Sequence, residues 1–388
     1  MKVFCLNNIS KVALDTLDKD NIVNDINISN AILVRSAKMH DMDLPKDVLA
    51  VARAGAGVNN IPLDKYADNG VVVFNTPGAN ANAVKELVLC GMFLACRDII
   101  GGIKYIEYNS DDENISVTAE KIKSNYAGFE LKGKQIAVIG LGVIGVMVAN
   151  ACVSLGMKVI GYDPYLSIQN AMSLSKEVKY VESLEEAVSK ADFVTIHVPL
   201  NPQTKHMFNK NLFDKFNENT ILLNFARDAL VKDDDLLEAI KENKVLKYIT
   251  DFANPEVVKM PKTICLPHLG ASTMEAEDNC AIMAIEQLEN YIKNGNIKNS
   301  VNYPDCHAGV KCGKYRICIN HKNITGMIAK FSTVISDDNG NIENLVNKSK
   351  GNYAYSVIDI NGDVVLEDTI KDIKAIDGVL KVRVIIWN

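Results

Sequence analysis

The sequence predicts an α/β protein: two doubly wound parallel-sheet domains and a small C-terminal βαββαβ unit. Three observations carry this. Short apolar runs alternate with helix-length intervals over the first three hundred or so residues. A Gly140-Leu-Gly142-Val-Ile-Gly145 turn stands between one such run and a helical stretch. Beyond Gly313 the rhythm changes to strands and helices in the split-βαβ order.

In the first domain the candidate strands are Lys2–Leu6, Ala31–Val34, Val51–Ala54 and Val71–Asn75, each short and apolar as a buried parallel strand must be. Lys11–Leu17 and Pro62–Asn69 supply helical crossovers. One long helical stretch, Asn82 to Tyr108, gathers Val84, Leu87, Val88, Gly91, Met92 and Ala95 on one side, so it packs between domains or between subunits. The second domain reads as six strands: Gln135–Ile139, Val159–Tyr162, Phe193–Val198, Ile221–Phe225, Tyr248–Phe252 and Thr263–Leu266. A long helix, Ala271 to Lys293, returns the chain to the first domain. Pro304–Gly313 reads as a linker. The tail then gives strand Tyr315–Asn320, helix Gly326–Ser336, strands Tyr353–Ile360 and Asp363–Leu366 joined at Asn361-Gly362, helix Glu367–Ala375 and strand Val379–Ile386. The expected domains are 1–95 with 275–303, then 96–274, then 314–388.

Composition narrows the function classes. A net charge of −6 argues against a nucleic-acid partner bound by charge. The longest apolar run, Leu87–Cys96, is ten residues, well short of the ~20 that span a membrane. The first residues lack the apolar region and cleavage site of a signal peptide. Nine cysteines, mostly in apolar segments, suit a reducing, cytoplasmic setting. Cys306-His307, Cys312 and Cys318 lack zinc-ligand spacing, so no metal site is expected; they read as incidental thiols of a linker.

The glycine turn carries the first chemistry. Gly140 permits the tight turn, Gly142 lets backbone approach a pyrophosphate at a helix start, and Gly145 lets helix and strand pack closely. Eighteen residues beyond Gly145, at the end of the next strand, Asp163 can accept from both ribose hydroxyls and repel a 2′-phosphate. The pattern predicts NAD rather than NADP; the bland alternative is three packing glycines and a surface Asp. Arg227, Glu256 and His268 follow three other strands, where ligands of open α/β sheets bind. Hydride transfer at a carbonyl needs a cation to polarise it, a proton donor and a group that holds the donor. Arg, His and Glu can fill those roles.

Val34-Arg-Ser-Ala37, Arg53-Ala-Gly-Ala-Gly-Val-Asn-Asn60, Asn75-Thr-Pro-Gly78, the glycine turn, His197-Val-Pro-Leu200, Asn224-Phe-Ala-Arg227 and Pro267-His-Leu-Gly-Ala-Ser-Thr273 together resemble the D-isomer-specific 2-hydroxyacid dehydrogenases. The likeness runs from about residue 1 to 303, and the tail resembles an ACT domain. The resemblance implies a flavodoxin-like substrate domain, a Rossmann NAD domain and NAD-dependent oxidation at C2 of a 2-hydroxyacid, with 3-phosphoglycerate as substrate. It makes Arg227 the carbonyl-polarising residue, His268 the general acid/base and Glu256 its partner. It places Val143, Ile144, Val198, Pro199, Ala226, Gly270 and Ala271 at the dinucleotide and Asp251 near the nicotinamide amide. It assigns backbone of Ala54, Gly55, Ala56 and Gly57 to the substrate carboxylate. Arg35 and Arg53 would meet the substrate phosphate, surface salt bridging being their alternative. In the tail, His321, Asn323 and Asn341 match a serine-binding pattern, or are solvated turn residues. A homodimer or homotetramer is implied. The competing activities are those of a hydroxypyruvate or glyoxylate reductase, or of an NAD-sensing corepressor on the same fold.

Some positions depart from the family pattern. Asn59 stands where Asp is usual, and Asp228-Ala229 where Gly-Gly is usual. Asn254-Pro255-Glu256 replaces Glu-Glu-Pro, and only eleven residues separate Glu256 from His268.

Overall fold

In the computed structural model, residues 1–386 are described. The chain divides into two compact units, one of residues 1–80 with 277 onward, the other of residues 81–276.

The first unit opens with β1 (Val3–Cys5), β2 (Ile22–Val23), β3 (Ala31–Val34), β4 (Ala50–Arg53) and β5 (Val72–Phe74). They form one parallel sheet in the order β2-β1-β3-β4-β5, the flavodoxin-like order. β3 is buried at every residue, as a strand covered on both faces must be. From Glu277 on, the helix Met274–Asn294 returns to this unit and buries Cys280, Ala281, Ala284, Ile285, Leu288 and Tyr291 in a core with Ala31, Leu33, Ala52 and Phe74.

The second unit holds β6 (Gln135–Ile139), β7 (Lys158–Tyr162), β8 (Lys179–Tyr180), β9 (Phe193–Ile196), β10 (Thr220–Asn224), β11 (Val245–Thr250) and β12 (Thr263–Cys265). The parallel order β12-β11-β10-β9-β6-β7-β8 is that of a Rossmann sheet, with its topological switch between β6 and β9. The long helix expected over 82–108 is two helices, Ala81–Cys96 and Ile99–Tyr108: Asp98 caps the second by accepting from the Gly101 N–H at 3.0 Å, and the Cys96 carbonyl that ends the first accepts from the Phe129 N–H at 3.2 Å. The first of them falls in this second unit rather than in the first. Its Val88 and Met92 pack with Val148, Cys152, Phe225 and Ile249.

The tail forms an antiparallel sheet of β13 (Tyr315–Lys322), β14 (Gly340–Lys350), β15 (Tyr353–Gly362) and β16 (Val379–Ile386), in the order β14-β15-β13-β16. Helices Met327–Asp337 and Leu366–Ala375 complete a βαββαβ, ACT-like arrangement. One expected element is wrong. Asp363–Leu366 is not a strand; the hairpin partner of β15 is β14, and the turn is at Gly351-Asn352. β14 is a half-exposed edge strand rich in Asn and Lys, so it lacks the apolar alternation by which strands are read.

This sheet is built into the first unit, not hung from a linker. Cys318, Tyr355, Val357 and Ile385 share the core of Leu288 and Tyr291. The open C-terminal carbonyls of helix Met274–Asn294 are satisfied from the tail. Arg383 donates to the carbonyls of Tyr291 and, at 3.0 Å, Ile292; Arg316 donates to Asn294 at 2.8 Å, and the Tyr355 hydroxyl to Gly295 at 2.8 Å. The expected linker is packed down as well. Cys306 is buried and bridges Ile297, and Asn296 Oδ1 accepts from the Ala308 N–H at 3.1 Å.

Candidate active site

The glycine turn lies between β6 and the helix Val143–Ser154. Gly140 has φ +94°, and a Cβ at Gly145 would sit 1.9 Å from the Gly140 carbonyl oxygen. Only glycine fits these two positions. A Cβ at Gly142 would meet nothing within 4 Å. The space it would fill lies at a helix N-terminus, where Val143 and Ile144 begin the first turn, so the residues present fit a pyrophosphate. Asp163 follows β7. Its carboxylate accepts from the Leu141 N–H and the Tyr165 N–H, both at 2.8 Å. The acid is therefore tied to the glycine turn itself, with lone pairs left for ribose hydroxyls. After β9, His197-Val198-Pro199 continues the edge; the His197 N–H donates to Ile139 at 2.7 Å and Thr204 Oγ1 to the Pro199 carbonyl at 2.6 Å. Burial drives the His197 pKa down to about 3, which favours the neutral imidazole.

Arg227 follows β10 on a turn fixed by the fully buried Asn224, whose Nδ2 donates to the Arg227 carbonyl at 2.9 Å and whose Oδ1 accepts from the Ala226 N–H at 3.2 Å. The guanidinium is exposed and donates to the Ala226 carbonyl at 2.6 Å. Asp228, Asp251, Phe252, Ala253, Pro267 and His268 line one cavity of about 290 Å³. His268 is exposed, sits edge-on to Phe252 with ring centroids 4.9 Å apart, and has φ +57°, a left-handed backbone unusual outside glycine.

What holds that backbone is Asp251. Its carboxylate is 1% exposed and accepts from the Leu269 N–H and the Gly270 N–H, each at 2.7 Å. A Cβ at Gly270 would approach Asp251 Oδ2 to 3.0 Å. Both oxygens of Asp251 thus grip the loop that carries His268, Gly270 and Ala271, a role its placement near the nicotinamide amide did not anticipate.

The expected pairing of Glu256 with His268 is not formed. Glu256 is exposed, and among the described residues its side chain makes no hydrogen bond or ion pair with His268. The short connection explains this. Asn254 Oδ1 accepts from the N–H groups of Glu256 at 3.1 Å and Val257 at 2.7 Å, starting the 3-10 turn Val257–Lys259 and leaving Glu256 at its outer end. Asn254 Nδ2 donates to Asp228 at 3.1 Å and Asp233 at 2.9 Å. The two departures noted in the sequence, Asn254 and Asp228, are therefore one local arrangement. Burial, with Asp228 and Glu256 nearby, pushes the Asp233 carboxyl upward despite that bond.

In the first unit Arg53 ends β4, beside Val34 of β3, and Arg35 is the next residue after β3. Arg35 is ion-paired with Glu277. Arg53 donates through Nε to the Arg35 carbonyl at 3.0 Å and through Nη1 to Gly57. The N–H groups of Ala54 and Gly55 are already engaged, by Val34 at 2.8 Å and Arg53 at 2.9 Å. Those of Ala56 and Gly57 make no hydrogen bond among the described residues, so they are the donors open to a carboxylate. Asn75 steadies the loop, Nδ2 to the Ala56 carbonyl at 2.6 Å.

The tail residues do not meet within one chain. His321 is buried, its Nε2 shared with Ser356 Oγ at 2.9 Å and Asn347 Oδ1 at 3.2 Å, its Nδ1 with the Lys322 carbonyl at 2.8 Å. Asn323 donates to Gly351 at 3.0 Å. Asn341 pairs in register with Asn361, whereas Lys322 pairs with Tyr353. β13 and β14 both run antiparallel to β15, so the start of β14 lies at the opposite end of the sheet from the end of β13. Among the described residues no group of three metal-ligating side chains occurs, and no helix is long and apolar enough to cross a membrane.

Residues 103–270 match the family described as D-isomer specific 2-hydroxyacid dehydrogenase, NAD binding domain. The D-3-phosphoglycerate dehydrogenase of Haemophilus influenzae is 30% identical over 349 residues, 87% of this chain and 81% of that one. The D-3-phosphoglycerate dehydrogenase of Methanocaldococcus jannaschii is 31% identical over 310 residues, 77% of this chain; the match spans only 57% of that relative's length. Among solved structures, the NAD+-bound 3-phosphoglycerate dehydrogenase of Entamoeba histolytica aligns with a TM-score of 0.59 and 24% identity, covering 78% of this chain and 98% of that one.

Proposed function

Since the chain belongs to the D-isomer-specific 2-hydroxyacid dehydrogenase family, we propose that it is an NAD-dependent D-3-phosphoglycerate dehydrogenase, oxidising 3-phospho-D-glycerate to 3-phosphohydroxypyruvate. The observation that carries the reading is the C-terminal edge of the second sheet. The glycine turn after β6, Asp163 after β7, Arg227 after β10 and the clamped His268 loop after β12 all lie there. The glycine turn and Asp163 would hold NAD, which would supply the acceptor for the hydride leaving C2. The chain's own residues do the rest. Neutral His268 accepts the C2 hydroxyl proton, and in reduction the protonated ring returns it. Arg227 binds the substrate carboxylate and stabilises the charge that gathers on the C2 oxygen in the transition state. The Asp251 clamp holds the His268 ring in place while the proton moves. Glu256 joins His268 only once the short 254–268 segment rearranges.

Arg35 and Arg53 serve the substrate phosphate, Arg35 exchanging Glu277 for it, and the Ala56 and Gly57 N–H groups serve the carboxylate. Serine acts as effector through His321, Asn323 and Asn341 only in an oligomer. There two copies of the tail sheet would bring opposite ends together, in a homodimer or homotetramer, and the cell compartment is the cytoplasm. The test is nicotinamide absorbance with phosphohydroxypyruvate, hydroxypyruvate, glyoxylate and 2-oxoglutarate in parallel. The reading expects a clear preference in kcat/KM for the phosphorylated acid. Equal or better turnover of hydroxypyruvate would make the chain a reductase of unphosphorylated acids.

A further inference from the structure

The first unit contains a second cavity, of about 470 Å³, at the N-terminal end of β4. Arg53 lies at the other end of that strand. Lys46 and Asp47 enter it from the segment before β4, Lys374 from the helix Leu366–Ala375, and Lys381 from β16, with Leu49 and Leu380 as apolar walls. Three ammonium groups thus face one carboxylate. Among the described residues none of the three lysines forms an ion pair. Lys381 is held in place: Nζ donates to the Val48 carbonyl at 2.6 Å and the Lys46 carbonyl at 3.2 Å, leaving one N–H without a protein acceptor.

We propose that this cavity binds a compact dianion, such as the phosphate group of a small metabolite, with Lys381 as the fixed donor and Lys46 and Lys374 closing over it. The arrangement has the parts such a ligand needs: excess positive charge, a preoriented donor and a floor part-lined by Leu49 and Leu380. Burial lowers the Lys381 pKa to about 8, and Asp47 only partly opposes this. A bound anion would reverse the shift, so binding near that pH takes up a proton. The titratable groups facing Lys381 are Lys46, Asp47 and Lys374. The bound anion would tie β16 to the segment entering β4, the strand that ends in Arg53 and the Ala54–Gly57 loop.

This proposal does not rest on the enzymatic reading. Its test is calorimetric titration of the full-length protein with sulfate, a dianion that does not itself titrate in this range, with chloride at matched ionic strength as control. Near pH 8, in two buffers of different ionisation heat, the wild type should bind sulfate with net proton uptake. About two pH units lower, where Lys381 is already charged, the uptake should vanish. Lys46→Gln/Lys374→Gln, both at exposed positions, should weaken this binding at least ~10-fold. Lys381→Met, which removes a charge from a half-buried site, should abolish the proton uptake. Isotherms unchanged by the lysine substitutions would overturn the proposal. So would sulfate binding that disappears only in Arg35→Gln/Arg53→Gln, which would assign the anion to the arginines instead.

Discussion

Replacing Asp251 by Asn isolates the clamp on the His268 loop with a change of one atom. In the wild type two charge-assisted hydrogen bonds of 2.7 Å reach the Leu269 and Gly270 N–H groups from a carboxylate 1% exposed. Each is worth about 1.5–3 kcal/mol. The amide retains one acceptor but points an N–H at an N–H, so one bond is lost and a buried donor is left unpaired. The net loss is roughly 2–4 kcal/mol. His268 is held at φ +57°, a conformation costing about 1–2 kcal/mol that the loop sheds once released. The loop therefore leaves its position, and a penalty of about 3 kcal/mol borne by the productive arrangement lowers kcat roughly 10²-fold. Turnover is followed by nicotinamide absorbance with phosphohydroxypyruvate, cofactor affinity by quenching of reduced-nicotinamide fluorescence, and stability by urea unfolding. The expected result is a large fall in kcat, a smaller weakening of cofactor Kd through the displaced Gly270 and Ala271, and a lowered urea midpoint. Wild-type kcat with a strongly weakened Kd would refute the reasoning, placing Asp251 on the nicotinamide rather than on the loop.

His268→Ala should cut turnover ~10²–10⁴-fold while NAD still binds; near-normal turnover at neutral pH would remove it as the acid/base. Asp163→Ala should weaken NAD and relax discrimination against NADP, and it also frees the Leu141 N–H. Unchanged affinities for both cofactors, measured side by side, would make Asp163 a structural tie alone. Arg316 and Asp359 form a pair 1% and 0% exposed, bonded at 2.6 and 2.8 Å. Asp359→Ala removes the counter-ion of a buried guanidinium that still donates to Asn294, and should lower unfolding free energy by about 3–5 kcal/mol. A change below ~1 kcal/mol by urea melt would mean that the pair is not dry.

Much of this was legible because burial on both faces writes itself into sequence. β3, β9 and β10 are buried throughout; β3 reads as an unbroken apolar run, and β9 and β10 depart from one only at Thr195, Thr220 and Asn224. The edge strands were not legible. β2 and β8 are two residues long, and β14 alternates only weakly between half-buried and exposed. The turn was legible where one residue type at one spacing has one geometric use, as at Gly140 and Gly145. The site was illegible where several groups share a task. Nothing local in Asp251, Asn254 or Asn224 says which backbone N–H or carbonyl each will meet, since those partners come from turns fixed by the tertiary fold. The pairing of Glu256 with His268 rests on the family resemblance, which carries no information about which way the shortened eleven-residue connection turns.

The first unit is written at both ends of the chain, with the whole second unit between. A ribosome therefore releases β1 to β5 long before the helix and tail sheet that cover them. At 5–20 residues per second the intervening, roughly 200-residue unit takes about 10–40 s to synthesise. That unit is contiguous and can fold in the interval. The five-stranded sheet meanwhile lacks Leu288 and Tyr291, and those two lack Cys318, Tyr355 and Ile385. β16 then adds Lys381, which donates to the segment entering β4, and Arg383, which donates to the end of the covering helix. Birth order thus leaves an unfinished, apolar parallel sheet exposed for most of synthesis, the sort of nascent surface that holding chaperones cover.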